Sequence, residues 1–78
     1  MRVVIKSKRF MGEYIAVNGR LPKRELPMRM RNMKTDDIYI RENIIGERRQ
    51  RITLHEFREM RYLKNGLSYK DAHRKAGY

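Results

Sequence analysis

Twenty Lys and Arg stand against nine Asp and Glu, a formal net charge of +11, and any compact fold of this chain must hold together against that self-repulsion. With 78 residues the means are few: one domain, spanning 1–78. A domain this short buries only about 60% of the surface its unfolded chain exposes. There is no Cys, so neither a disulfide framework nor a thiolate zinc site can add stability. Small soluble domains usually carry a net charge of magnitude about 2–8. An excess beyond that points to a polyanionic partner.

No apolar run approaches the roughly 18–20 residues of a membrane span. Val3-Val4-Ile5, flanked by Arg2, Lys6, Lys8 and Arg9, is too short for the roughly 7–15-residue apolar region of a signal peptide. The expectation is a cytoplasmic protein with no membrane partner.

Residues 1–46 read as β-rich. Val3-Val4-Ile5 suits a buried strand, and Glu13 to Val17 a second one, turning at Gly12. The pattern predicts an antiparallel pair over residues 2–17. Asn18-Gly19 is a turn signal, since both residues tolerate positive φ. Pro22 and Pro27 break the next stretch, where Met28-Arg29-Met30-Arg31 alternates as an extended segment would. Thr35-Asp36-Asp37 marks a turn and Ile38-Tyr39-Ile40 a third strand. Glu47 to Arg51 reads as a polar linker.

Residues 53–78 read as a helical hairpin. Thr53-Leu54-His55-Glu56 has capping-box spacing, Thr at the N-cap and Glu at N3. It predicts a helix over 54–64 with Leu54, Phe57, Met60 and Leu63 on its apolar face, closed by Asn65-Gly66. Ser68 caps a second helix over 69–75, which Gly77 stops. The fold class is then α+β: a small antiparallel β-sheet packed against a C-terminal helical hairpin. Its core would draw on Val3, Ile5, Ile15, Val17, Ile38, Ile40, Ile45, Leu54, Phe57, Met60, Leu63, Leu67 and Ala72. A core so small leaves room for a homodimer.

Chemistry is sparse on this reading. Ser7, Thr35, Thr53 and Ser68 are explained as turn residues and caps rather than nucleophiles. Asp36-Asp37 with Glu42 could hold Mg²⁺, but adjacent acids before a strand are more often a turn. His55, in a helix first turn, and His73, on a polar face, read as surface residues rather than ligands. No catalytic residue, metal or cofactor is expected, and the chain reads as a non-enzyme.

The basic residues fall into four groups: the N-terminal strand, residues 20–34, residues 48–51, and the helical pair with Arg58, Arg61, Lys64, Lys70, Arg74 and Lys75. The contact set read from them is Arg20, Lys23, Arg24, Arg29, Arg31, Arg48, Arg49, Arg51, Lys70, Arg74 and Lys75. Such residues neutralise phosphates and release counterions, and Arg suits bidentate phosphate or guanine contacts. Tyr14, Tyr39, Tyr62, Tyr69 and Tyr78 could stack on unpaired bases or lie half-buried in the core.

Tyr62-Leu63, Gly66, the Ser68-capped helix with its central Ala72, and Ala76-Gly77-Tyr78 together resemble the first two helices of helix-turn-helix domains of phage small-terminase and mobile-element proteins. The resemblance covers about a quarter of the chain. It implies packing roles for Leu63, Leu67, Ala72 and Ala76 and a turn at Gly77. The chain ends at Tyr78, where that family's recognition helix begins, so the resemblance implies a compact helical hairpin more than base reading. The function expected is a small nucleic-acid-binding protein, a DNA-binding regulator or architectural factor, with DNA favoured over RNA. The alternatives are an RNA- or ribosome-associated protein, and an inhibitor docking on an acidic host protein through Met28, Met30 and Met33.

Overall fold

The computed structural model describes residues 1–77. Tyr78, named above for stacking and as the last residue of the helix-turn-helix resemblance, lies outside the described residues. The elements are β1 (Arg2–Lys6), α1 (Lys8–Met11), β2 (Ala16–Asn18), β3 (Asp37–Arg41), α2 (Gly46–Lys64) and α3 (Tyr69–Ala76). Two 3-10 turns, Lys23–Glu25 and Met28–Met30, lie between β2 and β3. The class is α+β, a small sheet with the C-terminal helices packed against it. Among the described residues no helix is long and apolar enough to cross a membrane.

The sheet is mixed, in the order β1-β3-β2. The expected hairpin over residues 2–17 does not form, because β3 inserts between its two arms. β1 runs parallel to β3, with Val3 opposite Ile38 and Ile5 opposite Ile40. β2 runs antiparallel to it, with Ala16 opposite Ile40 and Asn18 opposite Ile38. The central position goes to the strand whose Ile38 and Ile40 are both fully buried. β1 carries Arg2 and Lys6, and charged residues suit an edge. Arg2 fixes the parallel register by donating two hydrogen bonds to Asp37, at 3.2 and 2.8 Å. Those bonds hold the Asp37 carboxyl below the usual carboxylate range.

Side chains alternate across β3, so the sheet buries both faces. Ile38 and Ile40 pack with Ile44, Ile52 and Met60 beneath α2. On the opposite face Tyr39 joins Val17, Met11, Leu21, Leu26, Met30 and Met33. Met28-Arg29-Met30 is therefore not extended. Pro27 caps a 3-10 turn that buries Met30 completely and leaves Met28 79% exposed.

α2 departs most from expectation. It begins at Gly46 rather than near Thr53, so residues 47–51 are its first turns and not a linker. Thr53 is no N-cap; its hydroxyl donates to the Arg49 carbonyl at 2.7 Å, one turn back. The longer helix also turns a different face inward: Ile52, His55, Glu56, Glu59 and Met60 are buried. Leu54 and Phe57, expected in the core, are exposed, as are Val3, Ile5 and Ile45. The later caps form as read. Gly66 closes α2 at φ 95°, its N–H donating to Leu63 and that of Leu67 to Tyr62. The Ser68 hydroxyl accepts from the Asp71 N–H at 3.3 Å.

Gly19 is required for space and not for left-handed backbone. Neither it nor Asn18 has positive φ. A Cβ on Gly19 would lie 1.9 Å from the Lys34 carbonyl oxygen, so the backbone itself would have to move. Gly19→Ala is therefore expected to destabilise the fold by about 3 kcal/mol, the upper end of overpacking costs, measured by urea unfolding.

Candidate metal centre

The inward face of α2 presents His55, Glu56 and Glu59 as well as apolar side chains. Acids are almost never fully buried unless paired or ligating a metal. Glu59 is 2% exposed and Glu56 5%. In a chain with twenty Lys and Arg, the ion pairs of Glu59 among the described residues are nevertheless with His55 and His73.

Helical spacing of i and i+4 puts His55 and Glu59 on one face, with 3.8 Å between His55 Nε2 and Glu59 Oε2. α3 brings in His73, whose Nδ1 lies 2.7 Å from the same Oε2. The two imidazoles meet edge to face, centroids 5.1 Å apart. Nδ1 of His55 is hydrogen-bonded to the Gly77 carbonyl just past the end of α3. A carbonyl only accepts, so Nδ1 carries the proton and Nε2 is directed at Glu59. Metal-ligating histidines are oriented in the same way, by a carbonyl or carboxylate on the far ring nitrogen.

Asn18, at the end of β2 and fully buried, completes the cluster. Its Nδ2 donates to Glu56 Oε2 at 3.1 Å and to Glu59 Oε1 at 2.9 Å. Its Oδ1 accepts from the Arg20 N–H at 3.0 Å, which fixes the amide's orientation. Burial, reinforced by the negative charge of Glu59, pushes the Glu56 carboxyl up to about 8, against the opposing pull of the Asn18 hydrogen bond. His55, Glu56, Glu59 and His73 line a cleft of about 90 Å³ between α2, α3 and residues 14–17, which run into β2.

One donor atom each from His55, Glu59 and His73 lies within 4.8 Å of the others. Ligands about 2.1 Å from a tetrahedral ion are roughly 3.4 Å apart. The separations to Glu59 are 3.8 Å and 2.7 Å and the whole set lies within 4.8 Å, so closing the donors by up to about 1.4 Å would seat an ion. His73, half exposed at the rim, is the side chain able to turn. Two imidazoles and a carboxylate form a catalytic zinc set with a fourth position open.

The expectation that both histidines are surface residues fails at His55, which is 4% exposed. The cause is the helix start: a helix beginning at residue 54 would put His55 in a solvated first turn, whereas in α2 it lies mid-helix on the inner face. The missed signal is His55-Glu56-Phe57-Arg58-Glu59. It has the spacing of the His-Glu-x-x-His zinc motif, with Glu in the last place. His73 joins only through packing. The other acidic reading resolves as pairing, Asp36 to Arg20 and Asp37 to Arg2.

The basic set divides by role. Lys23, Arg29, Arg31 and Arg49 donate to backbone carbonyls of Arg31, Phe10, Leu26 and Ile44 respectively. Arg20 pairs with Asp36, Arg51 with Glu47 and Arg74 with Asp71. Arg24 lies 4.0 Å from Glu25, and Lys75 lies over the Tyr62 ring. Arg48 and Lys70 are exposed.

No family model, curated protein or solved structure matches the chain.

Removing the Asn18 amide takes one donor from each of two buried acids, while Glu59 keeps its hydrogen bond to His73. Asn18→Ala is expected to cost about 1–3 kcal/mol in urea unfolding, the range for a buried acceptor left unsatisfied.

Proposed function

We propose that this protein is a metal-dependent hydrolase acting on amide or ester bonds, with His55, Glu59 and His73 holding a zinc ion. The observation that carries this reading is the convergence of those three donors beside Glu56, on a helix whose first ligand is oriented from behind by Gly77. The bound ion would supply Lewis acidity to the substrate carbonyl. Glu56 lines the same cleft, next in sequence to the ligand His55. Above about pH 8, where its carboxyl ionises, it would take a proton from the attacking water as the new C–O bond forms. It then delivers that proton to the leaving nitrogen or oxygen as the scissile bond breaks. Asn18 fixes the Glu56 carboxyl through its hydrogen bond to Oε2. The same donor set also serves Fe²⁺, but a carboxylate base next to the ligands favours hydrolysis.

Chelator-stripped protein titrated with zinc against a chromogenic competitor should bind one equivalent. His55→Ala and His73→Ala should each weaken binding at least about 100-fold, more than loss of a supporting residue costs. Glu56→Gln should keep the zinc and lose about 10²–10⁴-fold in kcat on a chromogenic amide or ester. Absence of stoichiometric zinc, or full activity in Glu56→Gln, overturns the reading.

The charge of +11 favours a second reading, binding to nucleic acid. Arg48, Lys70 and Arg74 are exposed cations suited to phosphate contacts. With six to ten phosphates neutralised, affinity for duplex or single-stranded DNA or RNA should fall about 10³–10⁵-fold between 50 and 200 mM salt. Undetectable binding at low salt to all three excludes it.

A further inference from the structure

Resting on the hydrolase reading, we propose that the substrate is a polypeptide in extended conformation, bound as an added strand along the free edge of β2.

Strand order leaves β2 with a neighbour on one side only. In an antiparallel pair, residues bonded across the ladder alternate with residues whose N–H and C=O point away. Ile15 accepts from the Arg41 N–H at 3.0 Å, and the Gly19 N–H donates to Asp37 at 2.9 Å, so the odd-numbered positions face β3. Ala16 and Asn18 then direct their backbone groups to the open side. Asn18 satisfies its carbonyl locally, by accepting from the Leu21 N–H. Ala16 is left presenting an N–H and a C=O outward, the pair an incoming strand bonds to.

That edge and the candidate metal centre are one place. Ile15, Ala16 and Val17 line the same cleft as His55, Glu56, Glu59 and His73. Asn18, two residues along the strand from Ala16, touches both acids of the cluster. A cleft of about 90 Å³ holds one peptide unit and not a whole substrate, so the flanking chain must run along its wall. The wall carrying main-chain donors and acceptors is β2. A strand paired with Ala16 would enter the cleft that the three donors line. Water adds oxygen to that carbonyl carbon, the C–N bond breaks, and the proton carried by Glu56 goes to the released amine.

The test uses zinc-loaded protein and a fluorogenic mixed-sequence decapeptide library. The best-cleaved peptide is resynthesised with a single N-methyl group at each amide in turn. Methylation at the amide that donates to Ala16 should raise KM about tenfold. Its immediate neighbours, which point away from β2, should change it less than about twofold. Ala16→Pro removes only the outward N–H, a position edge strands tolerate, and should raise KM comparably at unchanged zinc affinity. If peptides are cleaved with no alternation in N-methyl sensitivity, the edge-strand proposal is overturned. Zinc bound at one equivalent with cleavage of small amides or esters but not peptides also overturns it, while leaving the hydrolase reading intact. Failure to bind zinc removes the hydrolase reading, and this proposal with it.

Discussion

The buried amide of Asn18 sets the distance between sheet and helix. It sits between two carboxylates that no Lys or Arg reaches among the described residues, and it belongs to β2 while they belong to α2. Two hydrogen bonds inside a low-dielectric region are stiff and directional. The strand therefore cannot slide along the helix without breaking both bonds. Gly19 follows immediately, pressed against Lys34, so the chain leaves Asn18 in one direction only. Apolar packing above and below β3 supplies adhesion; the amide supplies register.

Much of the α+β architecture is legible in the sequence because it rests on local chemistry. Ile38-Tyr39-Ile40 reads as a strand and is one, and Ser68, Gly66 and Gly77 mark helix ends where they occur. The sheet order is not legible, since the parallel pairing of β1 with β3 joins segments 35 residues apart, as in the Arg2–Asp37 bond, with no turn to announce it. The buried polar cluster was hidden by a different mechanism. Thr53-Leu54-His55-Glu56 satisfies the spacing of a capping box, and the apolar residues at every third position from Leu54 support that frame. In the real helix the inner face contains three ionisable residues, which hydrophobic patterning assigns to solvent. Patterning finds cores by their apolarity, so a core that turns polar at one spot disappears from it.

The charge that dominates the composition is partly structural. Lys23, Arg29 and Arg31 tie the segment between β2 and β3 to itself and to α1 through main-chain carbonyls, and Arg41 reaches the Gly12 carbonyl at 2.7 Å. Between β2 and β3 regular backbone pairing is limited to two short 3-10 turns, and two prolines lack N–H groups. Long cationic side chains satisfy acceptors there that secondary structure would otherwise satisfy. Counting cations thus overstates the charge held ready for a partner, and their donor geometry explains why Arg predominates.

The two edges of the sheet are unlike each other, and this bears on how copies of the protein meet. β2 is three residues long and its open side lies in a cleft. β1 is longer, with Val3 and Ile5 partly uncovered, the kind of strand along which identical chains stack. Arg2 and Lys6 stand at its two ends, and Lys8 and Arg9 follow at once. Two molecules approaching edge to edge would bring those cations together before any ladder could close. The self-repulsion that weakens the folded chain here acts as a guard against aggregation.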